Sequence, residues 1–193
     1  MSVGSDFVTR PQLELRANSG RFDRISIAFH WLTAALVATQ LTTAWLMSQA
    51  GDYSPALLTM HRSIGVVTWF VVAARFAWRH NFAYLPPFPA GMPKLQQQAA
   101  KIVEHGLYIL LLVQPVTGLG STLFHGRAFA LFGWRLPALL APDKTVFHMF
   151  LSLHELGAAA LQTLIGVHAV AALFHAVILR DGVLQRMLPG RTE

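Results

Sequence analysis

The nine histidines are the side chains of this chain that are best suited to chemistry. Imidazole binds transition metals and transfers protons near neutral pH. The sequence contains no cysteine, which excludes disulfides, Cys-ligated zinc, iron–sulfur clusters and the C-x-x-C-H attachment of c-type haem. The positions of the histidines along the chain therefore decide which chemistry they perform.

Two histidines fall on one face of a single apolar segment near the C-terminus. His154 and His168 are 14 residues apart. At about 100° per residue, this spacing returns to within about 40° of the same helical face, and the rise along the helix is about 21 Å. A helix through this segment is therefore predicted to carry one ring near each surface of a membrane.

The elements that position these rings are apolar helices. The chain is 54 % hydrophobic and 12 % charged, whereas a soluble domain carries about 25 % charged residues. A helix of about 20 predominantly apolar residues spans a bilayer, and four such segments are predicted, over residues 25–47, 54–78, 99–124 and 146–179. The predicted fold is all-α, a transmembrane four-helix bundle over residues 21–190, preceded by an N-terminal arm over residues 1–20.

The basic residues orient this bundle. Residues 1–24, residues 75–101 around the second connection, and the tail from residue 180 lie on one side and carry 11 Lys and Arg residues, while the opposite side carries 4. Because Lys and Arg are enriched in cytoplasmic segments, the arm and both termini are predicted to lie in the cytoplasm. In a soluble protein the net charge of +6 would favour nucleic-acid binding. Here the basic residues flank apolar runs, so they indicate topology and no nucleic-acid partner is expected.

Depth in the membrane pairs four of the histidines. His30 lies about five residues into the first predicted span, and His61 lies about six residues into the second. Because consecutive spans run in opposite directions, His30 shares its depth with His168, and His61 shares its depth with His154. Ionisable residues inside a membrane mark functional sites, so each leaflet is predicted to hold one two-histidine site.

Two imidazoles per site favour haem over zinc. Zinc commonly takes four protein ligands, or three and one open position, whereas two axial imidazoles complete the coordination of a low-spin haem iron. Such an iron has no open position, which favours electron transfer over oxygen chemistry. We therefore expect two haem b groups stacked across the membrane, with His30 and His168 at the inner iron and His61 and His154 at the outer iron. The alternative is four unrelated core histidines that hydrogen-bond within the bundle.

Several sequence runs, in order along residues 21–190, resemble the bacterial cytochrome b561 family. The runs are Ile25-Ser26-Ile27-Ala28-Phe29-His30-Trp31, His61-Arg62-Ser63-Ile64-Gly65 with Arg75, Gln114-Pro115-Val116-Thr117-Gly118, His125-Gly126-Arg127, His154-Glu155, Gly166-Val167-His168-Ala169, Phe174-His175 and Arg186-Met187-Leu188-Pro189. The resemblance implies a di-haem b cytochrome of the bacterial inner membrane that works in respiratory electron transfer. It places the family ligands at the four paired histidines. Some members oxidise superoxide at the outer face and pass electrons to ubiquinone near the inner haem, and others serve different quinone or periplasmic redox partners.

Two further side chains are candidates for binding a cofactor. His175 lies seven residues, or two helical turns, beyond His168, and the matching family position implies a hydrogen bond from its ring to a quinone carbonyl. The alternative is an ordinary interfacial histidine. Arg62 follows a predicted ligand and is expected either to hold a haem propionate or to mark the membrane boundary. Arg75 is expected to reach toward the other membrane surface.

The remaining histidines do not enter the predicted pairs. His80, His125 and His148 lie at predicted connections, where surface or interfacial roles are expected. His105 precedes Tyr108 by three residues, where the family often has a spacing of four, so its role stays open.

These features fit more than one function. The main prediction is an electron carrier that exchanges electrons with ubiquinone, and a superoxide:ubiquinone oxidoreductase shares the same framework. A second class is the cytochrome b anchor of a larger dehydrogenase or hydrogenase, with residues 126–145 as a docking loop. A third class, a small transporter that moves protons through its histidines, predicts a colourless protein.

Overall fold

The computed structural model describes residues 20–49 and 54–190, so the predicted N-terminal arm lies outside the described residues except for Gly20. Four long helices follow: α1 Arg24–Gln49, α2 Pro55–Asn81, α3 Lys94–Phe124 and α4 Lys144–Phe174. Each is long and apolar enough to cross a membrane. The predicted transmembrane four-helix bundle is therefore confirmed, and the chain is a multi-pass membrane protein.

Polar side chains begin three of the helices. The Asp23 carboxylate accepts from the backbone N–H of Ser26 at 2.9 Å and from its hydroxyl at 2.6 Å. The Ser54 side chain accepts from an amide of α2, ahead of proline at the first helical position, and Asp143 does the same for α4. These caps satisfy amides that lack partners in the first helical turn. Helix α3 begins five residues before the predicted start because its first turns are polar but still helical.

The helices pack in sequence order around a core of small and hydroxyl side chains. Helix α1 packs against α2, α2 against α3, and α3 against α4, while α1 and α4 have few close contacts in the described residues. Small residues let membrane helices approach closely, and the buried polar side chains of this core are mostly threonines. Large apolar side chains such as Trp45, Phe70 and Leu156 are instead exposed. This distribution is the one expected where lipid is the solvent.

A short β-hairpin lies between α3 and α4, in the segment that was predicted as a loop. Strand β1, Phe129–Leu131, pairs antiparallel with β2, Trp134–Leu136. The two turn residues, Phe132 and Gly133, both have positive φ, as a type I′ hairpin turn requires. The Phe132 amide donates to the Ser63 hydroxyl at 2.8 Å, which holds the hairpin against α2.

The last turn of the fourth span is not α-helical. The span reaches Leu179 as predicted, but His175–Leu179 forms a π-helical turn that ends at Arg180 in the left-handed region. The segment that follows returns to the start of α1, where the Trp31 indole donates to the carbonyl of Met187 at 2.7 Å. We call this end of the bundle, where α1 begins and α4 ends, the terminal side, and the opposite end the hairpin side.

Candidate functional site

The first histidine pair lies toward the terminal side. His30 on α1 and His168 on α4 have ring centroids 6.1 Å apart. His30 is partly buried, while His168 is exposed on its helix. The two rings come from helices that otherwise have few close contacts. We call these residues the terminal pair.

The second pair lies toward the hairpin side. His61 on α2 and His154 on α4 have ring centroids 6.2 Å apart, and both rings are partly buried. Helix α4 thus contributes one ring to each pair, and the 14 residues between them correspond to a rise of about 21 Å. The structure therefore brings together the same residues that depth had paired. We call His61 and His154 the hairpin pair.

The separation within each pair fits two imidazoles on one metal ion. A metal–imidazole bond is about 2 Å long and a ring nitrogen lies about 1.1 Å from its ring centroid, so two axial rings have centroids roughly 6.3 Å apart. The observed values are close to this distance. No group of three or more His, Asp or Glu side chains that could hold a metal ion occurs in residues 20–49 and 54–190. A donor set of two imidazoles fits an iron porphyrin, whose macrocycle supplies four further nitrogens.

Hydrogen bonds at Nδ1 orient three of the four rings. Nδ1 of His61 lies 2.9 Å from the Thr43 hydroxyl, and Nδ1 of His154 lies 3.0 Å from the Gln114 carbonyl. Nδ1 of His30 also has a partner, the guanidinium of Arg75. Among the described residues, His168 has no hydrogen-bond partner. In His61 and His154, whose Nδ1 partners can accept a hydrogen bond, the other nitrogen, Nε2, is therefore the one left available to a metal.

A glycine leaves room for one ring of the hairpin pair. A Cβ added to Gly118 on α3 would lie 3.0 Å from Cε1 and 3.2 Å from Nδ1 of His154. Contacts this short are tighter than ordinary van der Waals separations. The absence of a side chain at this position therefore lets the ring lie flat against α3.

Arg75 is a site residue that the sequence analysis missed, because it was expected to reach the membrane surface. Its Nη2 atom lies 3.2 Å from Nδ1 of His30, and its guanidinium lies 5.4 Å from the ring centroid of buried Tyr108. The side chain therefore points into the bundle. A signal was present, since Arg75 follows His61 by 14 residues, the same spacing that aligns His154 with His168.

His175 is buried, and both of its ring nitrogens have partners. Nδ1 lies 2.5 Å from a carboxylate oxygen of Asp181, and Nε2 lies 2.9 Å from the amide nitrogen of Gln96 on α3. Partial burial by itself would raise the pKa of the Asp181 carboxyl, but hydrogen bonds from His175 and from the Val183 amide lower it below its usual value. The site is thus a histidine–carboxylate pair with an amide at its other nitrogen, and the sequence analysis had named only the histidine.

Arg62 lies between the hairpin pair and the hairpin. Its Nε atom donates to the Thr122 hydroxyl at 3.1 Å, and its guanidinium lies 5.9 Å from the ring centroid of buried Phe129. Nearby, desolvation and then the positive charges of Arg127 and Arg62 lower the pKa of His125. The hairpin side therefore has a local positive potential above the hairpin pair.

The remaining histidines lie away from both pairs. His80 and His105 are exposed, and each Nδ1 lies within hydrogen-bonding distance of the carbonyl four residues earlier in its own helix. His125 and His148 are exposed and contact the ring of Phe147. These positions agree with the surface roles expected for His80, His125 and His148.

Comparison with known proteins identifies the family. A family profile described as prokaryotic cytochrome b561 matches residues 21–190. Cytochrome b561 homolog 1 of Escherichia coli (strain K12) is 29 % identical over 177 residues, which cover 89 % of this chain and 98 % of the relative. Cytochrome b561 homolog 2 of the same strain is 31 % identical over 173 residues, covering 87 % and 91 %. A protein named probable superoxide oxidase CybB, from Yersinia pestis, is 25 % identical over 173 residues, covering 88 % and 96 %.

The family match covers all four helices and both histidine pairs. It agrees with the apolar spans and with a donor set suited to haem. The chain therefore belongs to the prokaryotic cytochrome b561 family, whose members are membrane b-type cytochromes that bind haem b and transfer electrons.

Proposed function

We propose that this chain is a di-haem cytochrome that carries electrons across the bacterial inner membrane between its hairpin side and ubiquinone at its terminal side. The observation that carries the proposal is the presence of two histidine pairs, one toward each end of α4, each with the ring separation of an axial ligand pair. A single pair would serve one face of the membrane, whereas two pairs provide a path across it.

The ligands of the two haems are the four paired histidines. His30 and His168 hold the haem on the terminal side, and His61 and His154 hold the haem on the hairpin side. Haem b, when bound, supplies a one-electron Fe(III)/Fe(II) couple. The chain contributes the four imidazole rings and an apolar surrounding. Residues 21–190 form this cytochrome domain, and residues 1–20 form a separate cytoplasmic arm.

The proposed orientation puts both termini in the cytoplasm. The bias of 11 basic residues against 4 is the support for it. The terminal pair then belongs to the inner leaflet, and the hairpin faces the periplasm. Arg62 lies at the periplasmic end, where its guanidinium is proposed to bind a propionate of the outer haem.

Ubiquinone is proposed to bind beside His175. Reduction of one ubiquinone to ubiquinol consumes two electrons and two protons, so the site needs a proton donor as well as an electron source. The pair of His175 and Asp181 is proposed to pass these protons from Nε2 to the quinone oxygens one at a time, with water replacing each proton. The Gln96 amide contacts Nε2 at 2.9 Å, so the quinone carbonyl replaces this contact when it binds.

The ligand assignment is tested by counting haems in purified variants. Wild-type protein should contain about two haems per chain by pyridine haemochrome. His30→Ala and His168→Ala should each lose the same haem, and His61→Ala and His154→Ala should each lose the other. His105→Ala is the matched control, because this exposed ring lies outside both pairs, and it should keep two. A wild-type stoichiometry near one, or two haems in all four variants, would contradict the assignment.

The quinone site is tested by reoxidation kinetics. His175→Ala should keep both haems, because its ring belongs to neither pair. Loss of one hydrogen bond to a neutral carbonyl costs about 1 kcal/mol, so reoxidation of the reduced protein by a soluble quinone should slow roughly fivefold. His80→Ala, which alters an exposed ring of the same side, should reoxidise at the wild-type rate. If His175→Ala also does, quinone binds elsewhere.

A second candidate function is superoxide oxidation at the hairpin side. The positive potential around His125, Arg62 and Arg127 favours an anionic substrate, and one relative is named a probable superoxide oxidase. Two superoxide anions would release two electrons and two O₂ molecules, and one ubiquinone would take up the electrons with two protons. Arg127→Gln should slow reduction of the cytochrome by superoxide and weaken its salt dependence, while Arg135→Gln on the outer strand should not. Equal rates in both variants would remove this candidate.

A further inference from the structure

Two copies of one polar element hold the hairpin pair. The element is a Gln-x-x-Thr sequence in a helix, Gln40–Thr43 on α1 and Gln114–Thr117 on α3. We infer that these two copies position His61 and His154, select the ring nitrogen that each offers to iron, and lower the potential of the hairpin-side haem. This inference rests on the proposed function, since it concerns the residues around the proposed ligands.

The first copy contacts both the backbone and the ring of His61. The Gln40 amide nitrogen donates to the His61 carbonyl at 3.0 Å. The Thr43 hydroxyl donates to the Gln40 carbonyl at 2.9 Å and lies 2.9 Å from Nδ1 of His61. The Gln40 oxygen Oε1 is buried without a partner in the described part of the chain. The Gln40 amide therefore keeps the orientation that its nitrogen needs, although its oxygen makes no hydrogen bond there.

The second copy repeats these contacts at His154. The Gln114 amide nitrogen donates to the His154 carbonyl at 3.0 Å. The Thr117 hydroxyl lies 2.8 Å from the Gln114 carbonyl, 3.4 Å from Oε1 of the same residue and 3.2 Å from Nδ1 of His154. The Gln114 carbonyl is itself 3.0 Å from that Nδ1 atom. The same three contacts therefore occur at each histidine of the pair: glutamine amide to histidine carbonyl, threonine hydroxyl to glutamine carbonyl, and threonine hydroxyl to Nδ1.

A glycine on the histidine's helix makes room for each glutamine. A Cβ at Gly65 would lie 2.8 Å from the Gln40 amide nitrogen, and a Cβ at Gly157 would lie 2.6 Å from Oε1 of Gln114. Gly65 is four residues beyond its histidine and Gly157 is three beyond, so the correspondence is not visible as a sequence repeat. The α1–α2 and α3–α4 interfaces nevertheless contain the same arrangement of glutamine, threonine, histidine and glycine residues.

The single proton of each threonine hydroxyl assigns the tautomer of the histidine ring beside it. A threonine hydroxyl has one proton to donate. At each site that proton goes to a glutamine oxygen, so the hydroxyl faces Nδ1 as an acceptor. Nδ1 must then carry the ring proton, and Nε2 keeps a free lone pair. At His154 the Gln114 carbonyl can only accept a hydrogen bond, so it also requires the ring proton to be on Nδ1.

At the terminal pair, the Nδ1 atom of His30 has a different kind of partner. Nδ1 of His30 faces Arg75, whose guanidinium can only donate and carries a positive charge. A hydrogen bond from Nδ1–H to an acceptor makes a ligand more basic, which favours oxidised iron. A nearby cation favours reduced iron, because reduction removes positive charge. The threonine acceptors therefore lower the potential of the hairpin-side haem, and the Arg75 guanidinium raises that of the terminal-side haem.

The test is a potentiometric titration of the purified, haem-loaded protein. The step that disappears in His61→Ala identifies the hairpin-side haem. Thr43→Val and Thr117→Val keep the side-chain shape but remove the acceptor. Each should raise the ratio of reduced to oxidised hairpin-side haem about fivefold at a fixed potential, or about 40 mV for a one-electron couple at 59 mV per tenfold change. The matched control is Thr39→Val, because this hydroxyl donates to the Ala35 carbonyl of its own helix, and both haem potentials should stay at their wild-type values.

Serine variants separate the hydroxyl from packing. Thr43→Ser and Thr117→Ser keep the acceptor and should retain the wild-type potential, even if a valine variant loses its haem. Loss of the haem in serine and valine variants alike would show that the threonines act only through packing, and this result would overturn the inference. Unchanged potentials in both valine variants would also overturn it. A wild-type protein without two haems would instead defeat the proposed function.

Discussion

Substitution of Gly118 by alanine tests whether the shape of α3 determines haem binding on the hairpin side. The new Cβ would lie 3.0 Å from Cε1 and 3.2 Å from Nδ1 of His154. Carbon atoms prefer separations of about 3.5–4.0 Å, so the ring must move by several tenths of an ångström. That movement disturbs the contacts of Nδ1 with Thr117 and with the Gln114 carbonyl, at 3.2 Å and 3.0 Å.

The expected magnitude follows from two opposing terms. Overpacking a well-packed site costs about 1–3 kcal/mol, while replacing a helical glycine with alanine contributes roughly 1 kcal/mol in favour of folding. The free energy of unfolding should therefore fall by only about 0–2 kcal/mol. Because the disturbance falls on a proposed ligand, haem affinity on the hairpin side should drop about tenfold or more. The terminal pair should keep its haem.

The assay is haem titration of apoprotein, read by absorbance and by pyridine haemochrome stoichiometry. Gly106→Ala is the control, since it adds a methyl group at the same α3–α4 interface. Its Cβ would meet only Cδ1 of Leu164, the far end of a flexible side chain, at 2.8 Å. Gly118→Ala should lose affinity for one haem, and Gly106→Ala should bind both normally. Normal binding of both haems by Gly118→Ala, or an equal loss in the control, would refute the reasoning.

Three further outcomes are expected. A reporter active only in the periplasm should be silent when fused at Glu193 and active near Leu139, and the reverse pattern would invert the proposed orientation. Trp31→Phe removes a 2.7 Å hydrogen bond to the Met187 carbonyl and should destabilise the C-terminal segment by about 0.5–1.5 kcal/mol. Limited proteolysis should then cleave this segment faster than in the wild type. Cleavage at the wild-type rate would show that packing alone holds the segment. The pKa of Asp181 is lowered in the folded chain from its usual value of 3.8, so its stabilising contact is present above that pH and is lost as the pH falls through the folded value. The difference in thermal stability between wild type and Asp181→Asn should accordingly shrink as the pH falls below 3.8, and a difference that does not change in this range would contradict this account.

The length of an apolar segment and the rise of a helix are local properties, so the spans and the depths of the histidines could be predicted from the sequence. The four spans were predicted from runs of apolar residues, and the structure moves a helix start by five residues only at α3. The meeting of His30 with His168, and of His61 with His154, followed from depth alone. The hairpin was missed because its strands have only three residues each, too few for a pattern to emerge. Its turn at Phe132-Gly133 was the one available signal.

The amino-acid sequence by itself determined that four helices cross a membrane and that two pairs of histidines share a depth, because hydropathy and helical periodicity act between near neighbours. Which groups surround each pair was decided only by the tertiary structure. Arg75 meets His30, Thr43 meets His61, and Gln96 meets His175, across 45, 18 and 79 residues of chain. Such meetings depend on the rotation of each helix about its axis, which packing against neighbouring helices sets and which no single helix encodes.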